Sequence, residues 1–501
     1  MVDALSERIL RRQLAAGKLP SIERLLKSGG QLNRCLSIFP SITPAATCSI
    51  ATGCYPREHH IEGACWFDRE RSEIAYFGDD VRFTIDRGMQ DFFVDFADHL
   101  NYQLLNSPTL FETLDQNGVD SACVNFMWFA GPHVHSRHTP LLIKALAGKL
   151  SDQIRGPKYL KIGEFVETLP TGVAAISRHN IVSRYGFKDE STAEVLLKLA
   201  KADALPRFTL GYFPNNDFQS HEEGPSRAAR IVLQPFDHFL GELIEALGGW
   251  SRIGSDVEIV IVGDHSQTEF GDSGPDPIRI DQCLSQFKQS DPGSGWQEDD
   301  EIFVCPNMRA AAIYARDPEN EEMRRRIVER LLAEQQIDQV IYELSDGTRV
   351  VETGNRGRLA FQRAKQEDRG DVRDNYQNRW RIEGQLATID ARVDSGGRLI
   401  EGEYPNALER IDGAFVKGSF PIWVTARPDS EFRLDETAIH GGGSHGALNI
   451  NDSESALLTS KGVIMEQLDN PSGPRIIDVA PLCHQILGVP WKATERKLHA
   501  P

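Results

Sequence analysis

The stretch Phe39-Pro-Ser-Ile-Thr-Pro-Ala-Ala-Thr-Cys-Ser-Ile-Ala-Thr-Gly53 contains the residue around which the rest of the chain is arranged, Thr43. An apolar run, Cys35 to Phe39, leads into a turn, and Pro44 then sits where proline is best tolerated, in the first turn of a helix. Thr43 is therefore expected to be the N-cap. A hydroxyl there faces unpaired backbone N–H groups and the positive end of the helix dipole, surroundings that favour an oxyanion or a phosphate. Threonine is also a common cap with no further role, so the local pattern is satisfied either way.

Working outward, size and composition narrow the possibilities. A chain of 501 residues suggests one large domain or a core with a substantial insertion. Its net charge of −18, with no basic stripe, argues against a nucleic-acid polymer as partner. Eight cysteines are scattered without a Cys-x-x-Cys pair and look like buried thiols. No apolar run approaches a membrane span, and Met1 to Glu7 lacks a basic and apolar export segment, so no membrane partner and a cytoplasmic location are expected.

Residues 4 to 28 show helical periodicity in two parts, broken at Gly17 to Pro20. Residues 65 to 105 have no clean period and read as an insertion. From Ser107 the pattern becomes regular: a helix to Leu114, a strand Val119 to Phe126, a helical stretch Ala193 to Ala200, and a strand Phe208 to Phe213. A long helix from Ser226 to Leu247, which Pro235 should kink or split, precedes a strand Val257 to Val262. Nearly continuous apolar strands separated by helices predict an α/β sandwich of layers with a mostly parallel central sheet. The organisation expected is a core over 1–302, an inserted α+β cap subdomain over 303–420, and a return to the core over 421–501, with a last helix from Ile476 to Leu487.

Functional groups in open α/β sheets collect at the carboxyl ends of strands. Phe208 to Phe213 is followed by Asp217-Phe-Gln-Ser-His221, and Val257 to Val262 by Gly-Asp264-His265-Ser. Later comes His440-Gly-Gly-Gly-Ser-His445-Gly, whose glycines let the backbone pass close to a site. Each group alone matches ordinary turn or surface chemistry. Together with Asp3 and Thr43 they make seven oxygen and nitrogen ligands (Asp3, Thr43, Asp217, His221, Asp264, His265 and one of His440 and His445), enough for two four-coordinate metals with open positions. Such donors suit zinc, with manganese or iron next.

The chain resembles the alkaline phosphatase superfamily and, within it, the type I phosphodiesterase and nucleotide pyrophosphatase branch. The likeness is carried by Val2-Asp3-Ala-Leu, Phe39-Pro-Ser-Ile-Thr43-Pro with Thr52-Gly53 and Pro56-x-x-His59, Asp217-x-x-x-His221, Asp264-His265, Gly443-Ser-His445-Gly and Asp478-Val-Ala-Pro. It implies an alkaline phosphatase-like three-layer sandwich. It further implies one divalent ion on Asp217, His221 and His445, a second on Asp3, Thr43, Asp264 and His265, and Thr43 as a nucleophile that forms a phosphothreonine on a small phosphorylated substrate. His440 competes with His445 as the last ligand, and His445 is preferred because Gly446 follows it and Asp452 and Ser453 come next, as in the family.

The chain also departs from the family pattern. Nucleotide-cleaving relatives usually have an asparagine three residues after the nucleophile, where this chain has Ala46. Oxyanion stabilisation is then expected from backbone N–H groups, from Thr47 or from elsewhere. His59 and His60 are expected to be structural. Only Met1 and Val2 precede Asp3, where relatives have a central strand; a start set too late, which could also hide an export signal, or a short strand would each explain this. The leading expectation is a two-metal phosphodiesterase or nucleotide pyrophosphatase. A phosphomonoesterase or phosphonate hydrolase, and a metal-dependent binding protein without turnover, are the alternatives.

Overall fold

The computed structural model describes residues 1–76, 95–138, 152–173, 187–291, 295–364, 372–434, 440–461 and 473–492. Part of the expected insertion at 65–105 therefore lies outside the described residues. What is described there includes a hairpin of Cys65–Asp68 and Glu73–Tyr76.

The strands that position the site are short and apolar. Val166–Thr168, Tyr159–Ile162, Ser121–Val124 and Phe208–Gly211 lie side by side, with Ser121–Val124 parallel to both its neighbours. Gln31–Leu36, Glu454–Thr459 and Val260–Val262 form a second, antiparallel group. Residues 1–3 join the two groups: Asp3 N donates to Phe213 O at 3.0 Å and Phe213 N to Met1 O at 3.0 Å, while Val2 N donates to Val262 O at 2.9 Å. Few as they are, the residues before Asp3 occupy the central place that a strand would take, and Val2 is fully buried.

Ser121–Val124, its two neighbours and residues 1–3 run parallel, while Val166–Thr168 and Glu454–Thr459 run antiparallel to the strands they pair with. Direction follows from connectivity. Glu454–Thr459 begins directly after the His445 loop, at the end of the sheet where Val260–Val262 finishes, so it must run back antiparallel to that strand.

Helix Pro225–Ala246 runs unbroken through Pro235, which was expected to kink or split it. Pro235 is on the exposed face, where water can satisfy the carbonyl that its missing N–H leaves behind. The apolar side, including Phe236, Phe239 and Leu240, is buried together with Phe213 and Ile9.

Beyond Ile302 the chain builds an eight-stranded antiparallel sheet. Strand Ile422–Ala426, expected after the return to the core at 421, instead inserts between Ala310–Ala315 and Ile337–Glu343 of that sheet. Its Trp423 packs edge-on against Phe39, with ring centroids 5.7 Å apart, just ahead of the Thr43 helix. One hydrophobic core therefore runs from that helix into the second sheet.

A buried ion pair ties this second sheet to the loops of the first. Arg309, in the turn after Ile302–Asn307, pairs with Asp452 and donates to Thr268 Oγ1 at 2.6 Å; both charged side chains are fully buried. Thr268 also donates to Asp452 at 2.6 Å, and Asp452 Oδ2 accepts from Ala447 N at 2.9 Å, two residues past His445. Removing one partner of such a pair strands the other charge without compensation. Asp452→Ala is expected to lower unfolding free energy by about 3–5 kcal/mol, read by urea denaturation; a change below about 1 kcal/mol would show that the pair does not hold the two sheets together.

Candidate metal centre

Thr43 begins the helix Thr43–Thr52, whose residues 44–52 are all buried. Alanine, serine and threonine dominate the helix, so it is thin enough to be enclosed on every side. It ends at Gly53, at φ +63°, where a Cβ would lie 2.6 Å from Trp491. The cap position itself falls on Ile42, one place earlier than predicted, which makes Thr43 the first helical residue. The reason is chemical: the Thr43 hydroxyl makes no capping bond and lies instead 2.9 Å from His265 Nε2.

The other predicted residues converge on this point. Asp3 leaves the central segment; Asp217 and His221 lie one turn apart on helix Asn215–Glu223; Asp264 and His265 follow Val260–Val262; and His445 follows the short strand Gly443–Ser444. Asp217, His221 and His445 each offer a ligand atom within 4.8 Å of the others, as do Asp3, Asp217 and His265. Asp264 Oδ2 is 3.4 Å from His265 Nε2. The rings of His265 and His445 stack at 3.7 Å, and His445 and His221 are 5.2 Å apart.

The histidines are held by their outer nitrogens. Nδ1 of His445 meets Ser41 O at 2.7 Å, Nδ1 of His221 meets Gly443 O at 2.8 Å, and Nδ1 of His265 meets Ser266 O at 3.1 Å. Each ring thus turns Nε2 inward, the arrangement that metal-ligating histidines use. The glycines after His440 make this possible. A Cβ on Gly442 would sit 2.1 Å from Gly224 N, and one on Gly443 2.8 Å from Pro225 Cδ.

The fit to cations rests on atoms left without partners. Asp3 Oδ1, Asp264 Oδ2, His221 Nε2 and His445 Nε2 are buried and make no hydrogen bond. Buried polar atoms are nearly always paired, so four converging orphans, all of them oxygen or imidazole nitrogen, describe a site for divalent ions. Electrostatics agree. Burial, with Asp264 and Asp217 beside it, pushes the Asp3 carboxyl well above the usual carboxylate range, and burial raises Asp264 too. Burial would also raise Asp217, but His221, His445 and His265 around it hold it below its ordinary value. Burial, with His265 adjacent, lowers the His445 imidazole.

His440, the competing ligand, lies outside both clusters. Its Nδ1 is 2.6 Å from Glu431 Oε1. His59 is structural as expected: fully buried, held down to about 3 by burial, and bonded to Ser49 Oγ at 3.0 Å and Ile61 N at 3.1 Å. Thr47 is not the oxyanion donor that was considered for it. Its hydroxyl donates to Thr43 O at 2.6 Å and accepts from Trp128 Nε1 at 2.9 Å, a bond within the helix that turns it away from the site.

Supporting residues that the sequence did not single out complete the centre. Tyr212 donates to Asp3 Oδ2, Gln267 Nε2 donates to Asp217 Oδ1 at 2.5 Å, and Ala4 N donates to Asp264 Oδ1 at 3.1 Å. Gln267 stands two places after His265, a spacing that carries no signal of its own.

Comparison with known proteins follows the same line. No curated protein matches the chain in sequence. Among solved structures, murine ectonucleotide pyrophosphatase / phosphodiesterase 5 superposes with a TM-score of 0.55 at 13% identity, covering 98% of this chain and 96% of that one. An inactive variant of that protein in complex with AMP matches at 14% identity and TM-score 0.55, with the same coverage. Phosphonoacetate hydrolase from Sinorhizobium meliloti, in complex with phosphonoacetate, matches at 16% identity and TM-score 0.55, covering 97% and 94%. At these identities the likeness establishes a shared mixed α/β fold. The family model described as type I phosphodiesterase / nucleotide pyrophosphatase matches residues 1–446, which take in every residue of the two clusters, and this chain belongs to that family of phosphoester hydrolases in the alkaline phosphatase superfamily.

Proposed function

We propose that the chain hydrolyses a phosphodiester or pyrophosphate bond of a small organic phosphate in two steps, with Thr43 as nucleophile. The observation that carries this is the Thr43 hydroxyl at the start of a buried helix, 2.9 Å from His265 Nε2, with two converging Asp and His clusters in which Asp3 Oδ1, His221 Nε2 and His445 Nε2 make no hydrogen bond. Asp217, His221 and His445 would hold one divalent ion; Asp3, Thr43, Asp264 and His265 would hold the other. Zinc fits these donors best, with manganese next. The bound ions supply the Lewis acidity that brings a hydroxyl to attack at neutral pH and neutralises phosphoryl oxygens.

The protein's own part is positional. In the first step a bond forms from Thr43 Oγ1 to phosphorus and the bond to the leaving oxygen breaks; in the second, water cleaves the phosphothreonine and restores the hydroxyl. Stacked His265 and His445 join the two clusters across 3.7 Å, and the helix beginning at Thr43 directs its positive end toward the transferred group. Ala46 brings no side-chain donor, and the Thr47 hydroxyl is engaged within the helix. Oxyanion stabilisation therefore falls to backbone N–H groups and the ions. That same bareness at Ala46 favours a second reading, hydrolysis of a monoester or phosphonate, in which no nucleotide-type contact at that position is needed.

Two outcomes are expected. Thr43→Ala should lower turnover of aryl phosphodiesters by about 10³-fold or more, and acid quenching during turnover should trap phosphothreonine in the wild type and none in the variant; unchanged turnover would sink the mechanism. Metal analysis should find two equivalents of zinc or manganese at saturation and about one in His221→Ala. Metal at a hundredfold its Kd should stabilise the chelated protein by about 2.7 kcal/mol, and fewer than two equivalents in the wild type would contradict the paired site.

A further inference from the structure

Every polar atom of Asp3 but one has a partner. Its backbone N–H donates to Phe213 O at 3.0 Å, its Oδ2 accepts from Tyr212, and its carbonyl accepts from Asn216 Nδ2 at 2.9 Å. Only Oδ1 is buried without a hydrogen bond. All three partners lie within residues 212–216, the segment that leads into helix Asn215–Glu223 with its Asp217 and His221.

The bond from Asn216 meets a strained turn. Ala4 stands at φ +50°, in the left-handed region that a residue with a Cβ enters only at a cost. Its neighbours leave it no other course: Asp3 N is held at Phe213 O, and Leu5 O accepts from Ala456 N at 2.9 Å, so the chain has to reverse between them. Asn216, 4% exposed, grips this reversal with a single amide group, since Nδ2 donates to Ala4 O at 3.0 Å as well as to Asp3 O. The N–H of Ala4 donates to Asp264 Oδ1 at 3.1 Å, so the same turn is tied to the second carboxylate. Backbone strain at a site persists only where the surroundings hold it, and Asn216 is the side chain that does so here.

Resting on Asp3 and Asp264 as ligands of one divalent ion, we propose that Asn216 is a positioning residue for that ion: by holding Ala4 left-handed it fixes the Asp3 turn and aims Asp3 Oδ1 into the site. It does so from a helix whose next residue, Asp217, is assigned to the other ion. A residue that orients a ligand in this way affects metal affinity without touching the metal. Its loss should therefore be felt at the ion on Asp3 and not at the ion on Asp217, although Asn216 is the sequence neighbour of Asp217.

Titration of the chelated full-length protein with zinc against a competing indicator reads each site when the other is emptied. His221→Ala should leave the ion on Asp3, Asp264 and His265, and Asp3→Ala the ion on Asp217, His221 and His445. Adding Asn216→Ala to His221→Ala is expected to weaken the remaining equivalent by about 10- to 100-fold. Adding it to Asp3→Ala should change the remaining equivalent by less than about threefold. Asn216→Leu, which keeps the bulk and removes the donor, should act as Asn216→Ala does. Rescue separates positioning from a general loss of packing. Glycine takes the left-handed conformation without steric cost, so Ala4→Gly added to the His221→Ala, Asn216→Ala protein should recover about fivefold or more of the lost affinity. Equal losses at the two sites, no loss at either, or no recovery with Ala4→Gly would each overturn the assignment. Two equivalents retained in Asp3→Ala would instead fault the ligand set on which it rests.

Discussion

Three carboxylates, Asp3, Asp217 and Asp264, are buried within a few ångströms of one another, and much of the structure around the site is arranged to hold them there. Burial first, and then the like charges of Asp264 and Asp217, push the Asp3 carboxyl well above the usual carboxylate range. Three histidines hold Asp217 below its ordinary value, while at Asp264 His265 offsets only part of the effect of burial. Divalent ions resolve the conflict more completely than protons can. The same burial that makes the acids costly would make the charge of any ion held there effective on a phosphoryl group.

Holding such a cluster together requires segments far apart in the chain. Asp3 sits in the central segment, bonded on one side to Phe213 and, through Val2, on the other to Val262; the residues after those two strands carry Asp217 and Asp264. Three ligands are thus set by the spacing of adjacent strands. His445 arrives differently, on a loop closed by Asp452, and Asp452 is in turn fixed by Arg309 from the second sheet. The second sheet is in this respect part of the support for the site, consistent with the core that runs without interruption from Phe39 to Trp423.

Much of the candidate centre was legible in the sequence because four of its residues obey a simple rule: each follows an apolar strand or lies within about one helical turn of a residue that does. Asp217, His221, Asp264 and His265 all satisfy it. His445 and His440 both sat in a glycine-rich loop, and composition could not separate them; geometry does, since the inward Nε2 of His445 lacks a partner while His440 is bonded to Glu431. Gln267 and Tyr212 were invisible because a hydrogen bond to one of these acids leaves no periodic trace. The place of Ile422–Ala426 was missed for a similar reason. An apolar strand looks the same whichever sheet receives it, and only pairing with Ala310–Ala315 decides.

Thr43 shows how a local expectation can fail while the chemistry it suggested holds together. A threonine before proline is expected to cap, spending its hydroxyl on the helix's own N–H groups. Here Ile42 takes the cap position in extended conformation, and it does so without a side-chain bond. The neighbouring Thr47 meanwhile does what Thr43 does not, bonding its hydroxyl back to the helix at Thr43 O. Trp128 then closes over Pro44 O and Thr47 Oγ1 at 3.0 and 2.9 Å, which fixes this first turn from below. The polar capacity of the turn is consumed on its buried side, leaving the Thr43 hydroxyl as the group turned toward the acids and imidazoles. A hydroxyl that caps a helix is held in place by the bond it makes. This one is held by the turn beneath it, so its oxygen stays directed at His265 with no bond to the helix competing for it.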